Sequence, residues 1–209
     1  MRIFWRGSCK RLLLAALLLS FVACSSSPQL PGLSPDAVIL AFGDSLTYGS
    51  GVSSDQTYPA VLSRLSGHAV VNAGVPGEVT AAGLLRLPGL LDQAQPELMV
   101  LCHGGNDMLR KSSLERTKSN IRAMVELARS RGVSVLLLAV PQPGIFMSPP
   151  ALYQEVADAL NTPLEADVLA EILAEPALKS DQIHPNAQGY RMIAEAVYQQ
   201  LLVTGAIQP

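Results

Sequence analysis

Tryptophan, cysteine and basic residues are all scarce in this sequence, and each scarcity removes a class of protein. The one tryptophan is Trp5, and the three cysteines are Cys9, Cys24 and Cys102. Thiols so few and so scattered build no disulfide framework of the kind small secreted domains depend on. Lysine and arginine number 15 against 17 acidic residues. Arg2, Arg6, Lys10 and Arg11 lie at the extreme N-terminus, so the chain beyond residue 23 carries 11 bases, 17 acids and a net charge of −6. With no basic patch there is no counterion release to drive nucleic-acid binding, and the loose group Arg110, Lys111, Arg116, Lys118 and Arg122 reads as a solvated helix face. The phosphate-cradling pattern Gly-x-x-x-x-Gly-Lys and the zinc pattern His-Glu-x-x-His are absent as well. Gly49-Ser50-Gly51 lacks the third glycine of a dinucleotide fingerprint and does not directly follow a strand.

Those four bases precede an apolar run, Leu12 to Ala23, that is too short to cross a hydrocarbon core of roughly 30 Å as a helix. A positive stretch followed by a short apolar one is the pattern of an export signal. The run ends in Phe21-Val22-Ala23-Cys24, which resembles the bacterial lipobox, where a lipid is attached to the cysteine and the chain is cut just before it. An ordinary signal-peptidase site wants a small residue where bulky Phe21 stands, which favours the lipidated reading. From Ser25 to Pro35 the composition turns to serine, proline, glycine and glutamine, as in an extended tether. The sequence therefore divides into a signal over 1–23, lipidated Cys24 with a flexible tether over 24–35, and one domain over 36–209. The expected place of the domain is the outside of a membrane, facing the periplasm of a Gram-negative envelope. Trp5 leaves with the signal, and the 174 residues that follow the tether suffice to bury one core.

Within that domain, short apolar runs alternate with longer stretches of helical spacing. Ala37–Phe42, Ala69–Asn72, Leu98–Cys102 and Val133–Val140 lack polar alternation and read as buried parallel strands. Tyr58–Leu65 and Glu78–Gln95 read as helices, the second interrupted at Pro88, which has no amide proton to give. Ser112 and Glu115 form a capping box ahead of a helix whose inner face is Ile121, Met124, Val125 and Ala128, ended by Gly132. A last helix follows Pro185, with Tyr190, Ile193, Ala194, Val197 and Leu201 inward. Strand and helix in this rhythm make an α/β fold with a sheet covered on both faces, and function in such sheets sits at the carboxyl ends of the strands.

Polar residues gather at those ends. Gly43-Asp44-Ser45-Leu46-Thr47 follows the first strand, Asn72-Ala73-Gly74-Val75-Pro76-Gly77 the second and Gly104-Gly105-Asn106-Asp107 the third, while Asp181-Gln182-Ile183-His184-Pro185 opens the final helix. In this order the blocks resemble the GDSL/SGNH hydrolase superfamily, nearest to its exported thioesterase I, arylesterase and lysophospholipase branch. An α/β-hydrolase would carry Gly-x-Ser-x-Gly at its nucleophile, which Gly43-Asp44-Ser45-Leu46-Thr47 does not. The resemblance implies a three-layer α/β/α sandwich with a mostly parallel, flavodoxin-like five-stranded sheet. It implies Ser45 as nucleophile, Asp181 and His184 as its triad partners, and Ser45, Gly77 and Asn106 as oxyanion donors, with no cofactor and no metal.

The chemistry needs these residue types. A serine hydroxyl attacks an ester carbonyl only when a base takes its proton, and neutral imidazole does so near neutral pH. A carboxylate holds the imidazole tautomer, and fixed amides stabilise the oxyanion. Each residue also has a plain structural reading. His184 before a proline can be a helix-start residue, Gly77 a tight entry to the helix after it, and Asp107 a turn residue bonding its own backbone. Asp44 is assigned to local hydrogen bonding. Cys102 reads as a buried small hydrophobe and His103 as a loop-edge residue near substrate. The loop 141–150 offers Ile145, Phe146 and Met147 either as an acyl-chain wall or as pins for the loop itself. The substrates implied are small acyl, aryl, thio- or lysophospholipid esters. The alternatives are a carbohydrate O-deacetylase of the same superfamily and a non-catalytic envelope lipoprotein.

Overall fold

The computed structural model describes Met1, residues 28–144 and residues 147–208. The elements run β1 (Val38–Gly43), α1 (Ser45–Tyr48), α2 (Tyr58–Ser66), β2 (Ala69–Gly74), α3 (Thr80–Ala94), β3 (Leu98–Cys102), α4 (Gly105–Leu109), α5 (Leu114–Ser130), β4 (Ser134–Leu138), α6 (Leu152–Leu160), β5 (Leu164–Glu165), α7 (Val168–Ala174) and α8 (Ala187–Val203). All strand pairs are parallel, in the order β2-β1-β3-β4-β5. Helix α2 packs on α8, and α3 packs on α5, which makes the two helical layers of the expected sandwich.

The core follows from the apolar runs. Ile39 to Phe42, Leu98 to Cys102 and Val135 to Leu138 are buried along their whole length, as strands covered on both faces must be. Ile121, Met124, Val125 and Ala128 of α5, and Tyr190, Ile193, Ala194, Val197 and Leu201 of α8, turn inward as the helical spacing requires.

Four expectations need correction. Strand β2 is not buried: it is the sheet edge, and Ala69, Val71 and Asn72 stand exposed because no strand flanks their outer side. Helix α3 runs through Pro88 without a break. Gly83, Leu87 and Leu91 are buried on one face either side of the proline, and that packing holds the helix against a missing bond worth about 3 kcal/mol in a helix interior. The cap of α5 is Ser113, whose hydroxyl accepts from the Arg116 amide, while the amide of Ser112 is taken by the carbonyl of Asp107.

The fourth correction concerns the tether. Residues 2–23 of the expected signal and Cys24 lie outside the described residues, but residues 28–35 are held on the domain. The Leu30 amide donates to the Thr204 carbonyl and the Leu33 amide to that of Ala206, both at 2.8 Å. Leu30 and Leu33 pack against the core, and Ser34 bonds the Glu97 carboxylate through its amide and its hydroxyl. Two leucines outweigh the polar composition around them. The double substitution Leu30→Ser/Leu33→Ser is expected to lower unfolding free energy by about 2 kcal/mol, because each side chain gives up roughly half of a full leucine burial. Urea denaturation of the two proteins measures it.

Candidate active site

The first polar block sits where β1 ends. Asp44 caps α1 by accepting from the Leu46 amide at 3.0 Å, and this cap sets Ser45 at the first position of the short helix, at the carboxyl edge of the sheet. The last polar block is a closed loop. The Ser180 amide donates to the His184 carbonyl at 2.9 Å, Lys179 and Pro185 form an isolated antiparallel bridge, and the Asn186 side chain caps α8. Tyr190 of α8 donates its hydroxyl to the Ser50 carbonyl at 3.1 Å, which ties this loop to the segment after α1.

Through these constraints Ser45 Oγ lies 3.0 Å from His184 Nε2, across 139 positions of sequence. His184 Nδ1 lies 2.7 Å from Asp181 Oδ2, and Asp181 Oδ1 accepts from the amides of Ile183 and His184 at 2.8 and 2.9 Å. An ionised carboxylate only accepts, so Nδ1 carries the imidazole proton and Nε2 is left to accept from the serine hydroxyl. Burial opposes the charge on Asp181, but its bonds to His184 and to the two amides outweigh that and hold its carboxyl below the usual range.

The other three polar loops adjoin this chain of bonds. Gly43 pairs in register with Gly74 on one side and Cys102 on the other, so the turns after β2 and β3 begin beside Ser45. Gly77 has φ +77°, a conformation that suits glycine, and among the described residues neither its amide nor that of Ser45 donates to a protein acceptor. Asn106 Nδ2 donates to Asp44 Oδ2 at 3.1 Å, which spends one amide proton and leaves the second for a ligand. Asp44 is thus more than a local cap, because it also orients Asn106. Burial pushes the Asp44 carboxyl up, against the opposing pull of the groups around it.

Two polar residues have other roles than the sequence suggests. Asp107 does not bond its own turn. Its carboxylate accepts from the Thr80 amide at 2.8 Å and the Thr80 hydroxyl at 2.7 Å, fastening the start of α3. His103 is not at the loop edge. It is 1% exposed, with Nε2 3.1 Å from Glu78 Oε2, and Glu78 in turn receives a two-pronged ion pair from Arg86 at 2.7 Å on each oxygen. The Glu78–Arg86 pair carries no sequence signal, because eight residues is twice the separation at which side chains meet along a helix and Glu78 precedes the first turn of α3. Cys102 is a buried hydrophobe, and desolvation pushes its thiol well above its ordinary range.

The open side of the cleft is apolar. Leu46, Leu109, Val140, Pro141, Pro143, Met147, Leu173 and Ile183 line it together with Ser45 and Asn106. Ile145 and Phe146 lie outside the described residues, and Met147 is part of the wall.

Residues 41–192 match the GDSL-like lipase/acylhydrolase family. The chain belongs to that family. It is 31% identical over 171 residues to thioesterase 1/protease 1/lysophospholipase L1 of Escherichia coli (strain K12), covering 78% of this chain and 82% of that one. It is 29% identical over 175 residues to an arylesterase of Vibrio mimicus, covering 78% and 88%. The crystal structure of TesA superposes with a TM-score of 0.73 at 31% identity, over 80% of this chain and 99% of that one. This acylhydrolase is accordingly a hydrolase acting on ester bonds, built on the SGNH fold that the ordered blocks implied.

Burial opposes the charge on Glu78, yet the bonds from His103 and Arg86 outweigh it and bring its carboxyl down from 4.5 to about 2. A depressed carboxylate stabilises the folded state fully above its unfolded value and loses that contribution as pH falls towards the folded value. The stability advantage of the hydrolase over Glu78→Gln should therefore be constant above about pH 5 and shrink steadily between pH 4.5 and 2, as thermal unfolding across that range would record.

Proposed function

We propose that this hydrolase cleaves acyl and aryl esters, with thioesters and lysophospholipids as related substrates, through an acyl-enzyme on Ser45. The observation that carries the reading is the unbroken chain from Asp181 through His184 to Ser45 Oγ at the head of an apolar slot. In the first half-reaction Ser45 Oγ attacks the ester carbonyl carbon while His184 Nε2 takes the hydroxyl proton. The tetrahedral oxyanion is met by the amides of Ser45 and Gly77 and by the free Asn106 N–H. His184 then gives its proton to the departing alcohol, phenol or thiol, and the Ser45 acyl-enzyme forms. Water attacks that acyl group in the second half-reaction, losing its proton to the same nitrogen, and Ser45 recovers its proton as the acid leaves.

Apolar lining supports a lipid or aryl ester above an acetylated carbohydrate. Each methylene of an acyl chain laid along Leu109, Val140 and Met147 gains about 0.8 kcal/mol, whereas sugar hydroxyls there would lose hydrogen bonds to water. Rates on a p-nitrophenyl ester series should rise from acetate to longer chains, and acetylated xylan should release little acetate. A flat chain-length profile with fast xylan deacetylation overturns the substrate assignment. Mass spectrometry after a fluorophosphonate probe should find the adduct on Ser45, and an unlabelled folded protein would favour a non-catalytic lipoprotein. Ser45→Ala and His184→Ala should each nearly abolish turnover, and Asn106→Ala should lower kcat by roughly a hundredfold.

We further propose export and anchoring through a lipid on Cys24, supported by the basic N-terminus, the short apolar run and the cysteine that ends it. The leash is short. Residues from Leu30 onward are fixed at the far end of α8, and six residues from Cys24 to Leu30 reach at most about 20 Å. Helix α8 begins beside His184 and ends at the Leu30 contact, a span of about 25 Å for its 17 residues. The cleft would then open away from the membrane that holds the anchor. Palmitate labelling of the expressed chain should be lost in Cys24→Ser, and labelling that survives this change defeats the anchor.

A further inference from the structure

We propose that the buried Glu78–His103 hydrogen bond is a brace that sets the spacing between the Gly77 amide and the Asn106 side chain, making Glu78 and His103 positioning residues for the oxyanion pocket. The inference rests on the roles given above to Gly77 and Asn106.

The two donors belong to different loops, one after β2 and one after β3, and backbone pairing ends before either is reached. Side chains span the gap: Asp107 holds Thr80, Arg110 donates to the Gly77 carbonyl at 2.8 Å, and the Glu78–His103 bond lies innermost, next to both donors in sequence. Glu78 follows Gly77 directly, and His103 precedes the Gly104-Gly105-Asn106 turn. The Gly104 amide donates to His103 Nδ1 at 3.1 Å, so Nδ1 bears no proton. The proton is on Nε2, which donates to Glu78 Oε2 at 3.1 Å. Both ring nitrogens are therefore committed, one to each loop. The relay extends further at both ends. Arg86 holds both Glu78 oxygens and donates to the carbonyls of Gly43 and Ala73 at 3.1 and 2.8 Å, while the Tyr153 hydroxyl holds the His103 carbonyl at 2.8 Å.

The surroundings are shaped for this contact. A Cβ at Gly83 of α3 would lie 2.5 Å from His103 Nε2 and 3.2 Å from Glu78 Oε2, so only glycine at that helix position admits the pair. The His103 ring does not line the cleft, and its side chain is fully buried, so it touches neither substrate nor the Ser45 hydroxyl. Its influence on turnover must pass through the loops it joins. Oxyanion donors lose most of their effect when misplaced by about an ångström, which costs on the order of a hundredfold in rate.

A mutant cycle tests the brace, using the full chain with p-nitrophenyl butyrate as substrate and a trifluoromethyl ketone as oxyanion-forming inhibitor. His103→Leu should lower kcat by ~10- to 100-fold with KM changed by less than about threefold, and should weaken the ketone by a similar factor. In an Asn106→Ala background the same substitution should cost less than about threefold, because one donor it positions is already gone. His103→Gln, which keeps a donor towards Glu78, should recover part of the lost rate. Unchanged kcat in His103→Leu, or an equal loss in both backgrounds, overturns the brace. Should His103→Leu fail to fold, Gly83→Ala carries the same cycle, since its methyl displaces the ring. If Asn106→Ala alone leaves kcat intact, the oxyanion assignment itself falls; if it lowers kcat while His103→Leu does not, only the brace falls.

Discussion

The contact between Ser45 Oγ and His184 Nε2 is the constraint that the rest of the structure serves. It joins two loops from opposite ends of the chain, and neither loop can reach the other unless β1 lies inside the sheet and α8 returns over it. The strand order supplies the first condition. The chain steps from β1 outward to β2 and then crosses back to β3, so the crevice at the carboxyl ends of β1 and β3 is where connections diverge to opposite faces. Ser45 and Asn106 follow those two strands. Helix α8 supplies the second condition, because five buried side chains lock it down and the Tyr190 hydroxyl fastens its first turn to the Ser50 carbonyl.

How much of this could be read beforehand depended on whether the signal was local. Ser45, Gly77 and Asn106 stand in polar blocks that follow apolar runs, and Asp181 and His184 in the block that opens the last helix; the resemblance of these ordered blocks to the GDSL/SGNH superfamily singled out the five residues, and the structure brings the blocks to one edge of the sheet. The inner faces of α5 and α8 were legible from a 3.6-residue period alone. Burial of β2 was not, because a run of valines looks the same at a sheet edge as in its middle, and only the strand order distinguishes them. The two-residue β5 has no pattern at all. Helix α3 survives its proline through Leu87 and Leu91, and local propensity carries no information about that packing.

The missed contacts share a physical cause: they are bonds between distant polar groups that only burial makes necessary. Asp107 looked like a turn residue and His103 like a rim residue because both types usually are. Once the chain folds, each lies where water cannot reach, and an unpaired group there would cost roughly 1–3 kcal/mol. Thr80 satisfies Asp107, and Glu78 satisfies His103. The same pressure accounts for Asp44, whose two oxygens are divided between the Leu46 amide and Asn106.

A division of labour among carboxylates follows. Asp44 and Asp107 are enclosed, Glu78 is nearly so, and all three fasten loops around the site. Asp181 differs, with a side chain 54% exposed. That placement suits the role proposed for it, beside an imidazole that would become a cation and then revert within one turnover. Sealed from water, the pair would stabilise the cation strongly in one half of the cycle and hold it back in the other, because interactions at low dielectric are large in both directions. At the solvent edge the attraction is damped, while two backbone amides keep the carboxylate ionised and aimed at Nδ1. Orientation is then supplied by the short loop, and the proton on His184 remains free to leave.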